Sequence, residues 1–579
     1  MESQTQTQTV PSLQLSSSPM AELAESALFK PASHSLNLEE CTKLSYQRAK
    51  AFAGAYGTKC TRLTVKDILY LTPKFCKLHV EPLMTLDGAA FTLLTIQCNL
   101  FVGTLAPFAL KRPELQPIIQ SALDFDISAQ FMLTEVNHGL DARNIQTTAT
   151  VLQNGDIDLH TPTPNDAKVM PPTTPRSGMP VIAIVMARLM KDNTFHGIRP
   201  FLVQLTDGKD MCKGVISKAL PTRAGAHPVD HALTYFNHMH LPKSALLGDF
   251  DKVNDCRQDF LSLIHRVAVG TLVLSATVIP CLKIAAFNAE RFSRKRLVTS
   301  NDGNLMAVIE FRTQNLPILH SVAQFSVLES FLASAVNAFR DTQSDPRVRH
   351  GIATVFKAVA LGHFEKSVKA MNERRGWQGQ FERNQLVQLE LEMRGAATAE
   401  GDIRVLAIRL VSKLLLDRYQ MPPAKDPSSA IAQHEISLIS EAKGLLQESA
   451  KGQHRSERFN RDILPLALPL AEAIGHRMAV EAAQGDNLDS KLLDLYISGV
   501  IKEDSAWYAE KGGLSRGVQR EMESQAADSL LPHLEDIMRD SGLQPYSTAP
   551  ITSKNLWDGF VEEPETFEVN ASPGLMSRL

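Results

Sequence analysis

Two short segments carry side chains suited to chemistry. The first is Leu133-Thr134-Glu135-Val136-Asn137-His138-Gly139-Leu140-Asp141-Ala142-Arg143-Asn144. Its apolar start reads as a strand end, and the rest as a polar loop with one glycine. Such a loop presents backbone N–H groups and a hydroxyl to a ligand, or it is a plain connection. The second segment is Ala399-Glu400-Gly401-Asp402, just ahead of a helical stretch that begins at Ile403. Taken alone, Glu400 is an acid at a helix N-terminus, where the helix dipole favours it. A basic run, Arg291-Phe292-Ser293-Arg294-Lys295-Arg296, reads as a solvated helix face or as a phosphate clamp, because guanidinium groups match phosphate geometry.

Other motifs narrow the chemistry. There is no Gly-x-Gly-x-x-Gly, no P-loop, no Gly-x-Ser-x-Gly and no His-Glu-x-x-His, so the sequence does not support a Rossmann-type dinucleotide site. His227, His231, His238 and His240 cluster in sequence without cysteines nearby. They read as loop or surface histidines with local partners, and no metal site is expected. The seven cysteines are scattered and contain no Cys-x-x-Cys, which fits a reducing compartment better than a disulfide framework. The chain ends in Ser577-Arg578-Leu579, the form of an address read by the peroxisomal import receptor.

Positioning these segments falls to a chain of 579 residues, 44% hydrophobic, with a net charge of −3. That length buries a large core, and near-neutral charge offers no footprint for nucleic acid. Residues 1–20 are polar and read as disordered. Residues 21–127 are mostly helical, with an apolar stretch from Phe91 to Leu110 and a break at Pro113. The texture changes at 128–250. Phe131-Met132-Leu133, Thr147 to Leu152 and Val181 to Met186 read as strands, and Asn154-Gly155-Asp156 as a turn, so an antiparallel β domain is expected there. Helices return over 251–420, including a helix from Ile403 to Tyr419, and over 421–546. Residues 547–579 read as a mobile tail. Val267 to Leu282 is uncharged but shorter than a bilayer needs, so it reads as a buried core helix and no membrane span is expected. Segregated helices and strands make the fold class α+β.

The polar loop resembles the Thr-Glu-x-x-(x)-Gly loop of the acyl-CoA oxidase and acyl-CoA dehydrogenase superfamily, and fungal peroxisomal acyl-CoA oxidase-like proteins in particular. The order of domains is similar: an N-terminal helical domain, a β-barrel-like domain, a four-helix-bundle domain and an extra C-terminal helical domain. Asp158-Leu159-His160-Thr161-Pro162 and Lys168-Val169-Met170-Pro171-Pro172-Thr173 resemble the strands and turn that cover the flavin. Asn237-His238-Met239-His240-Leu241-Pro242 is similar to the end of the family's β domain. The resemblance covers about residues 90–420 and the ends by architecture alone.

The resemblance implies FAD-dependent α,β-desaturation of an acyl-CoA to a trans-2-enoyl-CoA. A carboxylate takes the α-proton and the β-hydrogen leaves as hydride to flavin N5. O2 then reoxidises the flavin, giving H2O2. The family's base is a Glu in a Glu-Gly motif, which here matches Glu400. Thr134, Gly139, Pro172, Gly376, Gly379 and Asp402 match positions near FAD. Arg296 matches an arginine that reaches the FAD pyrophosphate of a neighbouring subunit, so a homodimer in the peroxisomal matrix is implied. The sequence departs from the family at Met170, Pro172, Trp377 and Ala399, where tryptophan, glycine or an aromatic is usual. Pro172 lacks the N–H that a glycine could offer. These departures leave open an acyl-CoA dehydrogenase with another acceptor, a role in fungal secondary-metabolite biosynthesis, and a non-catalytic acyl-CoA-binding protein.

Overall fold

The computed structural model describes residues 19–31, 36–55, 63–448 and 456–567. Helices lead, strands follow from Ser128 to Leu241, and helices return, which is the α+β order expected. In the first layer α1 (Leu38–Ala55) lies against α2 (Gly88–Ala109). Asp87 starts α2 by accepting from Ala90 N at 2.8 Å, and Arg48 of α1 holds the same carboxylate at 3.0 Å in a buried pair. The middle turn of α2, Ile96–Val102, is π-helical. Such turns widen the helix locally, re-aim side chains, and recur at functional sites.

Val267 to Leu282 lies inside α3 (His265–Lys295), a helix of 31 residues. This helix, Gly88–Ala109, Arg312–Arg340 and Glu457–Gly485 are each long and apolar enough to cross a bilayer by length and composition. The expected shortness of the segment therefore fails. Its burial stands, because 78% of the apolar window of α3 is covered within the fold.

The β domain is built on β5 (Val181–Lys191). On one side it pairs antiparallel with β6 (Thr194–Thr206). On the other side β1 (Ser128–Met132) and β2 (Thr148–Val151) lie in tandem, and both run parallel to β5. The expected all-antiparallel domain is therefore corrected to a mixed sheet. The reason is legible in the burial of β5. Val181, Ala183, Val185, Ala187 and Leu189 enter the β core, while Ile184 and Met186 join the helical core. A strand buried on both faces reads as a continuous apolar run, the usual mark of parallel pairing. Strand β3 (Ile157–His160) continues the sheet to β9 (Met239–Leu241). A second, antiparallel sheet holds β4 (Lys168–Pro172), β7 (Val215–Ala219) and β8 (His231–Phe236).

Helices α3, α4 (Arg312–Arg340) and α5 (Pro346–Glu373) pack side by side, followed by α6 (Leu386–Thr398) and α7 (Ile403–Leu415). Helix α7 ends short of Tyr419, because the chain turns through a left-handed Asp417 (φ 50°). Beyond it α8 (Ala467–Gly485) and α9 (Ser490–Glu503) lean on α4 and α5.

Both chain ends depart from expectation within the described residues. Pro19 and Met20 belong to a helix, Pro19–Glu25, with Met20 buried. The tail is fixed rather than mobile as far as it is described. Tyr546 is buried and its hydroxyl donates to Glu81 Oε1 at 3.2 Å; Ser547 Oγ donates to Asn288 Oδ1 at 2.6 Å. Ile551 N donates to Asn384 Oδ1 at 3.2 Å, and a helix, Lys554–Glu562, follows. The polar residues that made this stretch read as solvated instead meet buried partners. Ser577, Arg578, Leu579 and most of residues 1–20 lie outside the described residues.

Candidate active site

Glu400 is not a first-turn acid. Asp402 is the N-cap of α7, accepting from Arg404 N at 3.0 Å and Val405 N at 3.2 Å. Glu400 stands two residues before it, in left-handed backbone (φ 53°), with Gly401 also at positive φ (101°). A non-glycine residue in that region is strained unless its surroundings hold it. Two groups do so. Lys357 of α5 donates from Nζ to Ala399 O at 2.8 Å and to Gly401 O at 2.7 Å. Thr271 of α3 donates from Oγ1 to Glu400 O at 2.8 Å.

The backbone twist turns the carboxyl inward. Asn99, on the π-helical turn of α2, donates from Nδ2 to Glu400 Oε2 at 3.2 Å. The orientation of Asn99 is settled by Arg266. Its Nη2 donates to Asn99 Oδ1 at 2.6 Å and its Nε to Asn99 O at 3.0 Å, so the amide nitrogen faces Glu400. Gly270 of α3 leaves the space that Oε2 fills, since a Cβ there would lie 0.8 Å from that oxygen. Oε1 has no hydrogen-bond partner among the described residues. Burial pushes the Glu400 carboxyl up to about 8, against the opposing pull of Lys357, Arg266 and Asn99. Burial also lowers Lys357 to about 8 and Arg266 to about 10. A half-buried carboxyl with a proton affinity near neutrality, flanked by two cations, is equipped to take up and release a proton.

Strand β1, which leads into the polar loop, packs on the same helical turn. Gln97, two residues before Asn99, accepts from Ala129 N of β1 at 2.7 Å and donates to Ala122 O at 2.5 Å. Between β1 and β2 the chain leaves the edge of β5 after Met132 and rejoins it at Thr148, so Thr134 and Gly139 lie on an excursion from the sheet. Glu135 closes its base. One carboxylate oxygen accepts from Thr147 N at 2.9 Å, Thr147 Oγ1 at 2.6 Å and Lys168 Nζ at 2.9 Å, and the other from Gln146 N at 2.6 Å. Both partners of the Glu135–Lys168 pair are fully buried. The half-buried Thr134 offers its carbonyl to Val169 N at 3.1 Å, and its hydroxyl has no partner among the described residues. Gly139 is exposed, with open space around it. Pro172 is buried in β4 beside a register shift that throws Met170 outward at positive φ (88°). Bulges of this kind re-aim a strand's side chains.

A second group gathers elsewhere. Arg296 is exposed at the C-cap of α3, its N–H bonded to Phe292 O at 2.9 Å. The Arg375 guanidinium sits 5.6 Å from the Phe292 ring centre, next to Gly376 (φ 58°) and Gly379. Gly379 is required by close approach, since a Cβ would meet Asn372 O at 2.6 Å. Arg375 is 3% exposed, and none of its three guanidinium nitrogens has a hydrogen-bond partner. Trp377 turns outward, 62% exposed, against Phe381 and Trp557. Among the described residues no hydrogen bond joins this group to Glu400 or Thr134. The four histidines singled out in the sequence take separate partners: His227 with Glu392, His231 with Met170 O, His238 with Asp158, His240 with Asp156.

An unpaired buried guanidinium beside the close-packed Gly379, and beside Gly376 with open space around it, fits a diphosphate, which offers bidentate acceptors. On that observation the residues present fit the FAD that the sequence resemblance implies. Asn99, Arg266, Gly270, Lys357 and Arg375 were not singled out in the sequence. A faint signal existed for two of them: Asn99 interrupts an apolar run, and Lys357 stands among Val355, Phe356, Ala358 and Val359 on a buried helix.

No protein-family model matches the chain. It is 24% identical over 326 residues to peroxisomal acyl-coenzyme A oxidase 3 of Homo sapiens, covering 51% of this chain and 46% of that protein. It is 26% identical over 377 residues to peroxisomal acyl-coenzyme A oxidase 1 of Arabidopsis thaliana, covering 61% and 55%. The match therefore spans about half the length of these relatives. In fold it is similar to acyl-coA oxidase1 from Yarrowia lipolytica, with a TM-score of 0.80 at 17% identity over 96% of this chain and 91% of that one. Acyl-CoA oxidase-1 of Caenorhabditis elegans, complexed with FAD and ATP, gives a TM-score of 0.73 at 16% identity over 98% of each chain. The solved structures show the fold, and the relatives similar in sequence are peroxisomal acyl-coenzyme A oxidases.

Proposed function

We propose that this protein is an FAD-dependent acyl-CoA oxidase that desaturates an acyl-CoA thioester between its α- and β-carbons, with Glu400 as the base. The observation that carries the reading is the setting of Glu400. It is half-buried, raised to about 8, and held on strained backbone by Lys357 and Thr271 at the position that resembles the family's base. Asn99 and the gap at Gly270 fix Oε2, which leaves Oε1 to take the α-proton. Arg266 and Lys357 favour the carboxylate needed for that step. FAD, when bound, supplies the hydride acceptor for the β-carbon and passes the electrons to O2 as H2O2. Thr134, Gly139 and Pro172 would hold it from the β domain. Arg296, Arg375, Gly376 and Gly379 would hold the diphosphate of the FAD of a second copy, so the working form is a homodimer. The names of the relatives support a peroxisomal setting.

The test is anaerobic addition of a medium- or long-chain acyl-CoA to the yellow protein, followed by oxygen. Bleaching of the flavin band and its recovery with H2O2 supports the reading. Bleaching that air fails to reverse points to a dehydrogenase with another acceptor, and a colourless protein to a binding role.

Two further results are expected. Glu400 acts only when ionised, and its folded value is near 8, so kcat/KM should climb with pH and level off above about 8. A limb centred in the ordinary glutamate range would mean that another group is the base. Replacing Arg375 with Met should weaken FAD retention by about tenfold or more, the scale of a charged hydrogen bond. Unchanged flavin content in the variant would remove Arg375 from the cofactor site.

A further inference from the structure

Away from the candidate active site, three helices bring two imidazoles and a carboxylate together. His363 lies on α5, His476 on α8, and Glu503 ends α9. His363 Nδ1 is 3.7 Å from Glu503 Oε1, and His476 Nε2 is 3.9 Å from Glu503 Oε2. Ligand-type atoms of all three lie within 4.8 Å of one another. The rings are stacked, 5.3 Å apart and tilted by 20°.

We propose that His363, His476 and Glu503 form a binding site for a divalent cation of the zinc class. Two imidazoles and one carboxylate are a donor set that zinc takes readily, with a fourth position left for water. A tetrahedral zinc needs its ligand atoms about 3.3 Å apart, so the present spacing asks for small side-chain movements and none of the backbone. His363 is 3% exposed and its Nδ1 has no hydrogen-bond partner. Buried polar atoms are rarely left unpaired, and a cation at this point supplies the partner.

The surroundings agree. His363 Nε2 lies 3.1 Å from the buried Tyr496 hydroxyl. If that ring nitrogen donates, the Nδ1 lone pair faces Glu503. Metal-binding histidines are commonly oriented through the opposite nitrogen in this way. The Glu503 side chain is 24% exposed, which gives a cation its way in. Lys366 competes: its ammonium is 3.0 Å from Glu503 Oε2, on a side chain that is 59% exposed. A solvated lysine is displaced at low cost. Occupation would tie α5 to α8 and α9, and α5 also carries Lys357.

The experiment is calorimetric titration of zinc chloride into the full-length holoenzyme after chelator treatment and dialysis, followed by cobalt(II) absorption. One zinc per chain and a visible tetrahedral cobalt spectrum are expected. Glu503→Gln and His476→Gln should each weaken zinc binding by about tenfold or more, and Lys366→Met should tighten it. Glu503 is at the rim, so its variant folds even where the histidine variant does not. No zinc binding by the wild type, or equal binding by wild type and Glu503→Gln, would overturn the proposal.

Discussion

Glu400→Gln is expected to cut turnover of acyl-CoA by about 10³-fold or more while leaving the protein folded and yellow, since a positioned base contributes on the order of 10²–10⁴. The side chains are isosteric. The Gln carbonyl can accept from Asn99 Nδ2 as Oε2 does, so the hydrogen bond at the base of the site survives. What disappears is the proton acceptor. The loss should fall on kcat and kcat/KM together, because the interaction is made in the transition state and not in substrate binding. The same variant has a thermal signature. A glutamate raised from 4.5 to about 8 in the fold keeps a proton that the unfolded chain releases. Its stabilising contribution is full below about pH 4.5 and is lost as pH rises through about 8. Glutamine is neutral throughout, so at pH 9 the variant should melt at or above the wild-type temperature, as calorimetry would show. A variant that keeps its activity would end the assignment. One that loses activity, flavin and melting temperature together would show a structural role instead.

The sequence locates this carboxylate but not its surroundings. Ala399-Glu400-Gly401-Asp402 stands out because a Glu-Gly pair precedes a helix, and that much is local. Asn99, Arg266, Gly270 and Lys357 lie on three other helices, and what joins them is packing between elements far apart in the chain. The reason that Glu400 escapes the helix dipole is equally hidden. Asp402 is the better cap, and taking that place leaves Glu400 outside the first turn on left-handed backbone. Glu135 is a similar case. It was visible as part of the polar loop, yet its task of closing the loop depends on Lys168 and Thr147, which only the sheet brings to it.

For the fold, long apolar helices and the β segment were legible from periodicity. The pairing direction was not. Val181 to Met186 is an unbroken apolar run, which signals burial on both faces, while the Asn-Gly-Asp turn marks an antiparallel hairpin, β2–β3. The stretch after Tyr546 failed for the opposite reason. The Ser547 hydroxyl and the backbone N–H groups of Thr548 and Ile551 are satisfied by Asn288, Gln385 and Asn384 inside the core, and composition alone cannot tell a buried strap from a solvated tail.

Gly270→Ala should be nearly as damaging as loss of the base itself, with turnover down by about 10²-fold or more, the cost of displacing a reacting group by about an ångström. Gly270 is in the interior of α3 with ordinary helical backbone, so alanine is favoured there by about 1 kcal/mol on propensity. Nothing in the helix opposes the change. The new methyl, however, would sit 0.8 Å from Glu400 Oε2 and 2.0 Å from its Cδ. The obstacle is the end of a side chain rather than backbone, so the carboxyl swings away and the fold persists. Asn99 then loses its acceptor, and Oε1 leaves the position from which it would meet the substrate. Melting temperature and flavin content should therefore stay close to wild type while kcat falls. Combining Gly270→Ala with Glu400→Gln should add little to Glu400→Gln alone, because residues acting as one unit are not additive. Full activity in Gly270→Ala would show that the working position of Glu400 is elsewhere. Independent, multiplying losses in the double variant would give the glycine a role of its own.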